Sequence, residues 1–292
     1  MTSISNTKMQ NFEELNITCA DQYTLSARYY AANSNAHTNP VLICPATGIT
    51  KNFYHHFAYW LSEQGYAVLV FDFRGIGASL HGRLKDSTAS IQKWGQLDIP
   101  AAIDALIAKT GAEKIQLLGH SAGGQLLGIV PNYDKVKNVV AVSGSTGYVK
   151  KLSGRTKVLA PVMFNMVFPL SNLFKGYGAT KFIGMGEDLP KMVAKQWAEF
   201  CSRPGYVYNA VGKTIFEDYH QKINIPFKVL WSSDDEIATE ANVKDLLRLY
   251  PNAQTTMIEL VPTDYQHKRI GHMEMFKRSH HNLWPVIAQQ LA

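Results

Sequence analysis

Five residues, Gly119-His120-Ser121-Ala122-Gly123, join a short apolar run to a stretch of helical character. The run Lys114–Leu118 predicts a buried strand, and Gln125–Ile129 predicts the start of a helix. A serine at such a corner is held in a sparsely populated backbone conformation. Glycines two residues before and after it are required, because a Cβ at either position would meet neighbouring chain. The segment therefore predicts a strand, a sharp turn that presents a serine, and a helix.

Strand and helix patterns alternate on both sides of this corner. The other short apolar segments are Val41–Cys44, Ala67–Phe71, Val139–Val142, Phe227–Trp231 and Thr255–Val261. Helical periodicity lies between them, most clearly at residues 53–64 and 97–109, and again at 239–250 and from about residue 283. Apolar strands joined by helices predict a mostly parallel, doubly wound α/β sheet that is covered on both faces. Two alternating segments before them, residues 14–19 and 23–31, predict an antiparallel hairpin.

The alternation stops between residues 147 and 224, which predicts an inserted cap. The core is then divided into a first part, residues 1–146, and a second part, residues 225–292. Loops and caps at the carboxyl edge of such a sheet select the substrate. We expect most of the large apolar side chains of the cap to form its own core and some to line an apolar pocket. These side chains are Met163, Phe164, Met166, Phe168, Phe174, Tyr177, Phe182, Met185, Met192, Trp197 and Phe200.

Charge and cysteine usage exclude several classes of protein. The 29 Lys and Arg exceed the 23 Asp and Glu only mildly and are scattered, which argues against a nucleic-acid-binding protein. Residues 158–170 are apolar but too short to span a bilayer and contain two prolines, so we expect no stable membrane insertion. Cys19, Cys44 and Cys201 lack any pairing motif, and residues 1–10 lack a signal-peptide pattern. These features predict free buried thiols and a cytoplasmic location; the oligomeric state is left open.

Four motifs make the chain resemble the α/β-hydrolases, close to the branch of monoacylglycerol lipases and serine aminopeptidase-like esterases. Besides the corner at Ser121, the segment Phe71–Ser79 is similar to the Asp-x-Arg-Gly-x-Gly-x-Ser turn that follows a core strand in that family. Trp231–Ala238 lies where the family places its catalytic acid, and Ile270–Met273 lies where it places a Gly-His pair. The resemblance covers residues 15–145 and 225–292 and implies an α/β-hydrolase fold with an inserted helical cap.

A serine hydroxyl becomes a useful nucleophile only beside a base whose pKa lies near the working pH. Of the ten histidines, His272 is the candidate base for Ser121, because it follows both a late strand and a glycine. A buried carboxylate must then orient the imidazole, and Asp234 and Asp235 both offer one. Alignment with the family's Asp-Pro-Ile-Val-Pro favours Asp235. Asp234 is the alternative acid, whose other role would be a hydrogen bond to the loop backbone or a solvated surface position.

Acyl transfer also requires two hydrogen-bond donors for the oxyanion. The Ala122 amide is the first, and the resemblance indicates the Thr47 amide as the second, with Gly48 as the alternative because Pro45-Ala46 replaces the relatives' His-Gly. The predicted function is a serine hydrolase that cleaves a small-molecule carboxylic ester with a hydrophobic part through an acyl-enzyme. No metal or organic cofactor is implied. An amidase or aminopeptidase, an acyltransferase, and a noncatalytic ligand-binding or interaction module remain alternatives.

Overall fold

The computed structural model describes residues 12–33 and 39–291 and is organised around an eight-stranded sheet. Its strands are β1 (Glu13–Thr18), β2 (Thr24–Tyr30), β3 (Val41–Cys44), β4 (Val68–Phe71), β5 (Ile115–His120), β6 (Val136–Val142), β9 (Pro226–Ser232) and β10 (Gln254–Leu260), and a separate two-stranded pair comprises β7 (Tyr177–Gly178) and β8 (Leu189–Pro190). The spatial order is β1-β2-β4-β3-β5-β6-β9-β10. The β1–β2 and β2–β4 pairs are antiparallel, and the other pairs of this sheet are parallel. The predicted parallel sheet with an N-terminal hairpin is confirmed.

Helices cover the two faces of the sheet and fill the insertion. They are α1 (His55–Glu63), α2 (Ile91–Lys93), α3 (Ile99–Thr110), α4 (Thr156–Val162), α5 (Phe168–Phe174), α6 (Lys191–Cys201), α7 (Glu240–Leu247) and α8 (Trp284–Gln289). A π-helical turn joins α2 to α3 at Trp94–Asp98, and another joins α4 to α5 at Met163–Val167. The predicted break in the strand–helix alternation thus corresponds to α4, α5, α6 and the β7–β8 pair.

Successive residues of the central strands pack into different cores, one on each face of the sheet. In β3, Leu42 belongs to the larger core, whereas its neighbour Ile43 belongs to the smaller one, and both are fully buried. Trp94 contributes to the larger core and Phe57 of α1 to the smaller one. Burial on both faces explains why the central strands are continuously apolar rather than alternating. All three cysteines are free and buried, as predicted.

The helix predicted after the serine corner does not form. Residues 121–124 and 127–129 make two short 3₁₀ turns instead. Three glycines in this stretch, Gly123, Gly124 and Gly128, weaken helix propensity. Gly128 also packs tightly, because a Cβ placed there would lie 2.1 Å from Nε2 of the buried His220. The expectation was wrong because tertiary packing sets the conformation here.

The apolar stretch of the cap is longer than its sequence suggested. Residues Thr156–Phe174 form one continuous helical segment of 19 residues with mean hydropathy 1.3, which by length and composition alone could cross a membrane. The expectation that this stretch is too short was wrong, because neither proline ends the helix. Pro161 lies inside α4, and Pro169 lies in the first turn of α5, after the π turn. That the chain does not insert stably into a membrane stays a prediction.

Candidate active site

The residues singled out in the sequence lie on loops that follow four of the five adjacent parallel strands β3, β5, β6, β9 and β10. Thr47 follows β3, Ser121 directly follows β5, Asp235 follows β9, and His272 follows β10. β3, β5, β6, β9 and β10 are parallel neighbours, so their carboxyl ends share one edge of the sheet. Ligands and chemistry in open α/β sheets gather at this edge.

Ser121, His272 and Asp235 form a continuous line of polar contacts. His272 Nε2 lies 3.0 Å from Ser121 Oγ, and His272 Nδ1 lies 2.8 Å and 3.0 Å from the two Asp235 oxygens. The Asp235 side chain is completely buried, while that of His272 is 15% exposed. Burial alone would raise the pKa of Asp235, but His272 and the amides of Ala238 and Ile237 outweigh it and lower the pKa. An ionised carboxylate here can orient an imidazole that accepts the serine proton.

Asp234 has a different set of partners from Asp235. Its carboxylate accepts hydrogen bonds from the amides of Ile270 and Gly271, at 3.1 Å and 2.8 Å, and from the Ser232 hydroxyl. These amides belong to the loop that leads into His272. Asp235 therefore contacts the imidazole of His272, whereas Asp234 binds the backbone of the loop that carries His272.

The backbone around Ser121 is strained as its sequence predicts. Ser121 has a φ of +48°, a conformation that non-glycine residues rarely adopt. A Cβ on Gly119 would lie 2.3 Å from backbone atoms of Gly124, and one on Gly123 would lie 2.0 Å from the carbonyl oxygen of Cys44. Glycine at both positions lets the corner fold tightly and touch the end of β3, and backbone strain of this kind is concentrated at functional sites in proteins.

The segment after β3 turns sharply beside this corner. The Ile49 amide donates to the Ala46 carbonyl at 3.1 Å, which places Thr47 and Gly48 at the centre of a turn, and Gly48 has a φ of +72°. Within the described residues neither central amide donates a hydrogen bond to another protein group, so both donors are unused. Thr47 and its alternative Gly48 both remain candidates beside the Ala122 amide.

Tyr54 and His120, which the sequence did not single out as site residues, connect this turn to His272. The Ala46 amide donates to the Tyr54 hydroxyl at 2.9 Å, and that hydroxyl lies 2.7 Å from His120 Nδ1. His120 Nε2 lies 2.9 Å from the carbonyl oxygen of His272. Since a carbonyl only accepts, Nε2 carries the proton, and Tyr54 donates to Nδ1. The side chains of Tyr54 and His120 thereby fix the turn at Thr47 and Gly48 and the His272 loop relative to each other.

Stability should depend on pH through His120. Burial, followed by the nearby His272, lowers the pKa of His120 to about 3. In the unfolded chain this imidazole takes up a proton below about pH 6.5, so the unfolded state binds more protons and stability falls as the pH drops. Between pH 7 and pH 5 the unfolding free energy should fall by about 2 kcal/mol more in the parent protein than in His120→Gln. Urea unfolding at the two pH values measures this, and equal losses in both proteins would contradict it.

The Phe71–Ser79 motif binds the segment beside the turn at Thr47 and Gly48 and contributes no side chain to the line from Asp235 to Ser121. Asp72 accepts hydrogen bonds from the amides of Lys51 and Ala78, at 2.6 Å and 2.9 Å, and from the Lys51 ammonium at 3.1 Å. Arg74 pairs with the buried Asp98. Because Lys51 follows the turn at Thr47 and Gly48, these bonds anchor one end of that turn.

Hydrogen bonds attach the cap to the loops that follow β9 and β3. The amide and hydroxyl of Thr156, at the start of α4, donate to Glu236 Oε2 at 2.9 Å and 2.7 Å, and Glu236 is the residue after Asp235. The amide of Glu187 donates to the Gly48 carbonyl at 2.8 Å. The cap is thus hydrogen-bonded directly to the loop that carries Asp235 and to the turn at Thr47 and Gly48.

The sheet topology and the serine corner at the carboxyl end of β5 define an α/β-hydrolase. Residues 35–262 match the family described as serine aminopeptidase, S33. The match covers most of the chain, and the chain belongs to this family.

Relatives and solved structures agree with this assignment. Lipase 3 of Drosophila melanogaster is 30% identical over 118 residues, which are 36% of this chain and 30% of the relative, so the chain spans about a third of that protein's length. A soluble variant of monoglyceride lipase from Saccharomyces cerevisiae, in complex with a substrate analog, superposes with a TM-score of 0.72 at 14% identity, covering 100% of this chain and 98% of that one. The Pyrococcus furiosus esterase Pf2001 gives a TM-score of 0.63 at 16% identity and covers 100% and 94%. Because both identities are low, these superpositions show a shared fold and nothing further.

Proposed function

We propose that the chain is a cytoplasmic serine hydrolase that cleaves carboxylic esters with an apolar part. The observation that carries this proposal is the unbroken line from the buried Asp235 through His272 to Ser121, with each pair within hydrogen-bond distance. The similarity to lipases and esterases supports an ester as substrate, as does the apolar composition of the cap.

In the proposed reaction, Ser121 Oγ attacks the ester carbonyl while His272 Nε2 takes up its proton. Asp235 stabilises the imidazolium, and the Ala122 amide, together with that of Thr47 or Gly48, binds the oxyanion. The tetrahedral adduct collapses as His272 returns the proton to the leaving alcohol, which leaves an acyl-enzyme on Ser121. Water, deprotonated by His272, then attacks this acyl group, and the carboxylic acid departs as Ser121 regains its proton. The proposal requires neither a metal ion nor an organic cofactor.

Labelling with a fluorophosphonate and peptide mapping tests the nucleophile. We expect one adduct, on Ser121, which is absent from Ser121→Ala. Ser143→Ala is a matched control, because Ser143 also has a positive φ, +53°, but is fully buried beyond β6. The control should label like the parent protein. A missing adduct, or an adduct on another serine, would disprove the assignment.

A substrate panel tests the reaction class. Esters of short and long acyl chains should be hydrolysed, and Ser121→Ala should lose this activity. Aminoacyl anilides, included because of the family's description, should be cleaved more slowly. Turnover of the anilides without turnover of any ester would make the chain an amidase, and transfer to an added alcohol in preference to water would make it an acyltransferase.

A further inference from the structure

The outward face of the cap helix is apolar. This cap helix, residues 156–174, consists of α4, the π turn and α5. Its exposed apolar side chains range from 45% exposure at Val162 to 79% at Phe174. They are Val158, Leu159, Val162, Met166, Leu170, Leu173 and Phe174. Five of them recur at every fourth residue from Val158 to Phe174 and so form one stripe along the helix. Scattered apolar residues are ordinary on a protein surface, but a continuous stripe indicates an interaction site.

The opposite face of the cap helix is fixed to the protein. Phe164 and Phe168 are buried and pack on Trp197, with ring centroids 5.5 Å and 6.0 Å apart. A surface helix normally turns polar side chains to water. On the cap helix only Lys157 and Asn165 are both polar and exposed. The helix is therefore apolar on two faces, of which one is covered by the cap core.

Basic residues flank this stripe in the sequence. Residues 147–186 contain no Asp or Glu but six basic residues, Lys150, Lys151, Arg155, Lys157, Lys175 and Lys181. Since the whole chain has a formal charge of +6, this segment alone accounts for the entire excess. All six are exposed, and among the described residues only Lys181 forms a salt bridge, to Glu187. Arg155 and Lys157 lie at the start of the cap helix, and Lys175 follows its end.

We propose that the cap helix binds peripherally to a lipid surface that carries anionic headgroups. The apolar stripe would enter the boundary between headgroups and acyl chains, and the basic residues at both ends would contact the headgroups. The cap helix lies in the plane of this surface rather than across it, because Phe164 and Phe168 bind its other face to the cap.

Charge complementarity distinguishes a lipid surface from a second copy of the chain. A two-fold dimer through this face would bring two segments together that each hold six basic and no acidic residues. Like charges across an interface oppose association, whereas the same charges are attracted to anionic lipid. In the proposed cytoplasmic location, the facing leaflet contains such lipids.

Binding at this face would also orient the active site. The cap helix begins at Thr156, which is bonded to Glu236 beside Asp235. The surface that docks and the loops of the site are thus connected through one residue. Apolar esters dissolved in a lipid surface would then reach the cap directly. This route for the substrate rests on the proposed function, whereas the docking itself does not.

Vesicle sedimentation tests the docking without any catalysis. The full chain with Ser121→Ala is mixed with vesicles of phosphatidylcholine alone, or of phosphatidylcholine with one third phosphatidylglycerol. We expect binding to the mixed vesicles, weaker binding to the neutral ones, and a loss when salt is raised. Adding Leu173→Ser and Phe174→Ser should weaken partitioning by at least about 10-fold, because two large apolar side chains no longer leave water. These side chains are 74% and 79% exposed, so the fold should tolerate the change.

Phe216→Ser is the matched control. Phe216 is 79% exposed, as Phe174 is, but lies outside the cap helix. This control should bind like the parent protein. Absence of binding to both kinds of vesicle, or an equal loss in the Phe216 control, would overturn the proposal. A dimer detected by light scattering that separates when Leu173 and Phe174 are replaced would overturn it in favour of a second copy.

Discussion

Replacement of Asp235 by asparagine is expected to lower kcat for ester hydrolysis by about 10⁴-fold. Asp235 Oδ1 accepts the amides of Ile237 and Ala238 at 2.8 Å and 2.9 Å, so an asparagine oxygen would occupy that position. Its NH₂ group would then face His272 Nδ1, where Oδ2 now lies 2.8 Å away. That nitrogen would have to accept a hydrogen bond, which transfers the imidazole proton to Nε2. A protonated Nε2 cannot take up the proton of Ser121.

Asp234→Asn is the matched control for this change. An asparagine oxygen at residue 234 would still accept the Gly271 amide, and only the bond from the Ile270 amide, at 3.1 Å, would be lost. We expect kcat to fall by about 10-fold or less, in keeping with the loss of one hydrogen bond. Steady-state kinetics on one ester, with folding checked by circular dichroism, measures both variants. Equal losses in the two variants, or a larger loss in Asp234→Asn, would show that Asp235 is not the catalytic acid.

The succession of short apolar segments and amphipathic helices predicted the parallel α/β sheet, and the resemblance carried by the four motifs predicted the α/β-hydrolase fold. The same signals predicted which loops would meet, since parallel strands bring their carboxyl ends to one edge. The structure places Asp235 rather than Asp234 against His272, in line with the alignment. The residues alone left this choice open, because a shift of one position in a loop changes which carboxylate faces the base.

The link through Tyr54 and His120 had no sequence signal. It joins Ala46, Tyr54, His120 and His272, which become neighbours only after the sheet has formed. Local rules also failed at the cap helix. Proline normally ends a helix, but a π turn between α4 and α5 continues the chain past Pro161 and Pro169. Both features involve contacts between residues far apart in the chain, such as Phe164 and Phe168 with Trp197 in the cap, and local sequence patterns do not reveal such contacts.

Gly123→Ala is expected to be the most destabilising single-methyl change in the site, at about 3 kcal/mol or more of unfolding free energy. The added Cβ would lie 2.0 Å from the Cys44 oxygen and 2.5 Å from the Cys44 carbonyl carbon, so backbone must move on one side or the other. Cys44 is the last residue of β3, where it pairs with Gly119 of β5. The chain therefore cannot relieve the contact by rotating a side chain. Any folded fraction would hold the Ala122 amide farther from the turn at Thr47 and Gly48, and ester hydrolysis should fall with it.

Gly111→Ala separates this packing effect from the ordinary cost of replacing a glycine. Gly111 ends α3 with a φ of +70°, and a Cβ there would have no atom within 4 Å. The control should cost about 1 kcal/mol, from backbone conformation alone, and should leave the kinetics unchanged. Urea unfolding gives both values. If the two variants lose the same stability, the close approach of Gly123 to β3 does not hold the corner in place, and the geometry of the oxyanion site must depend on other contacts.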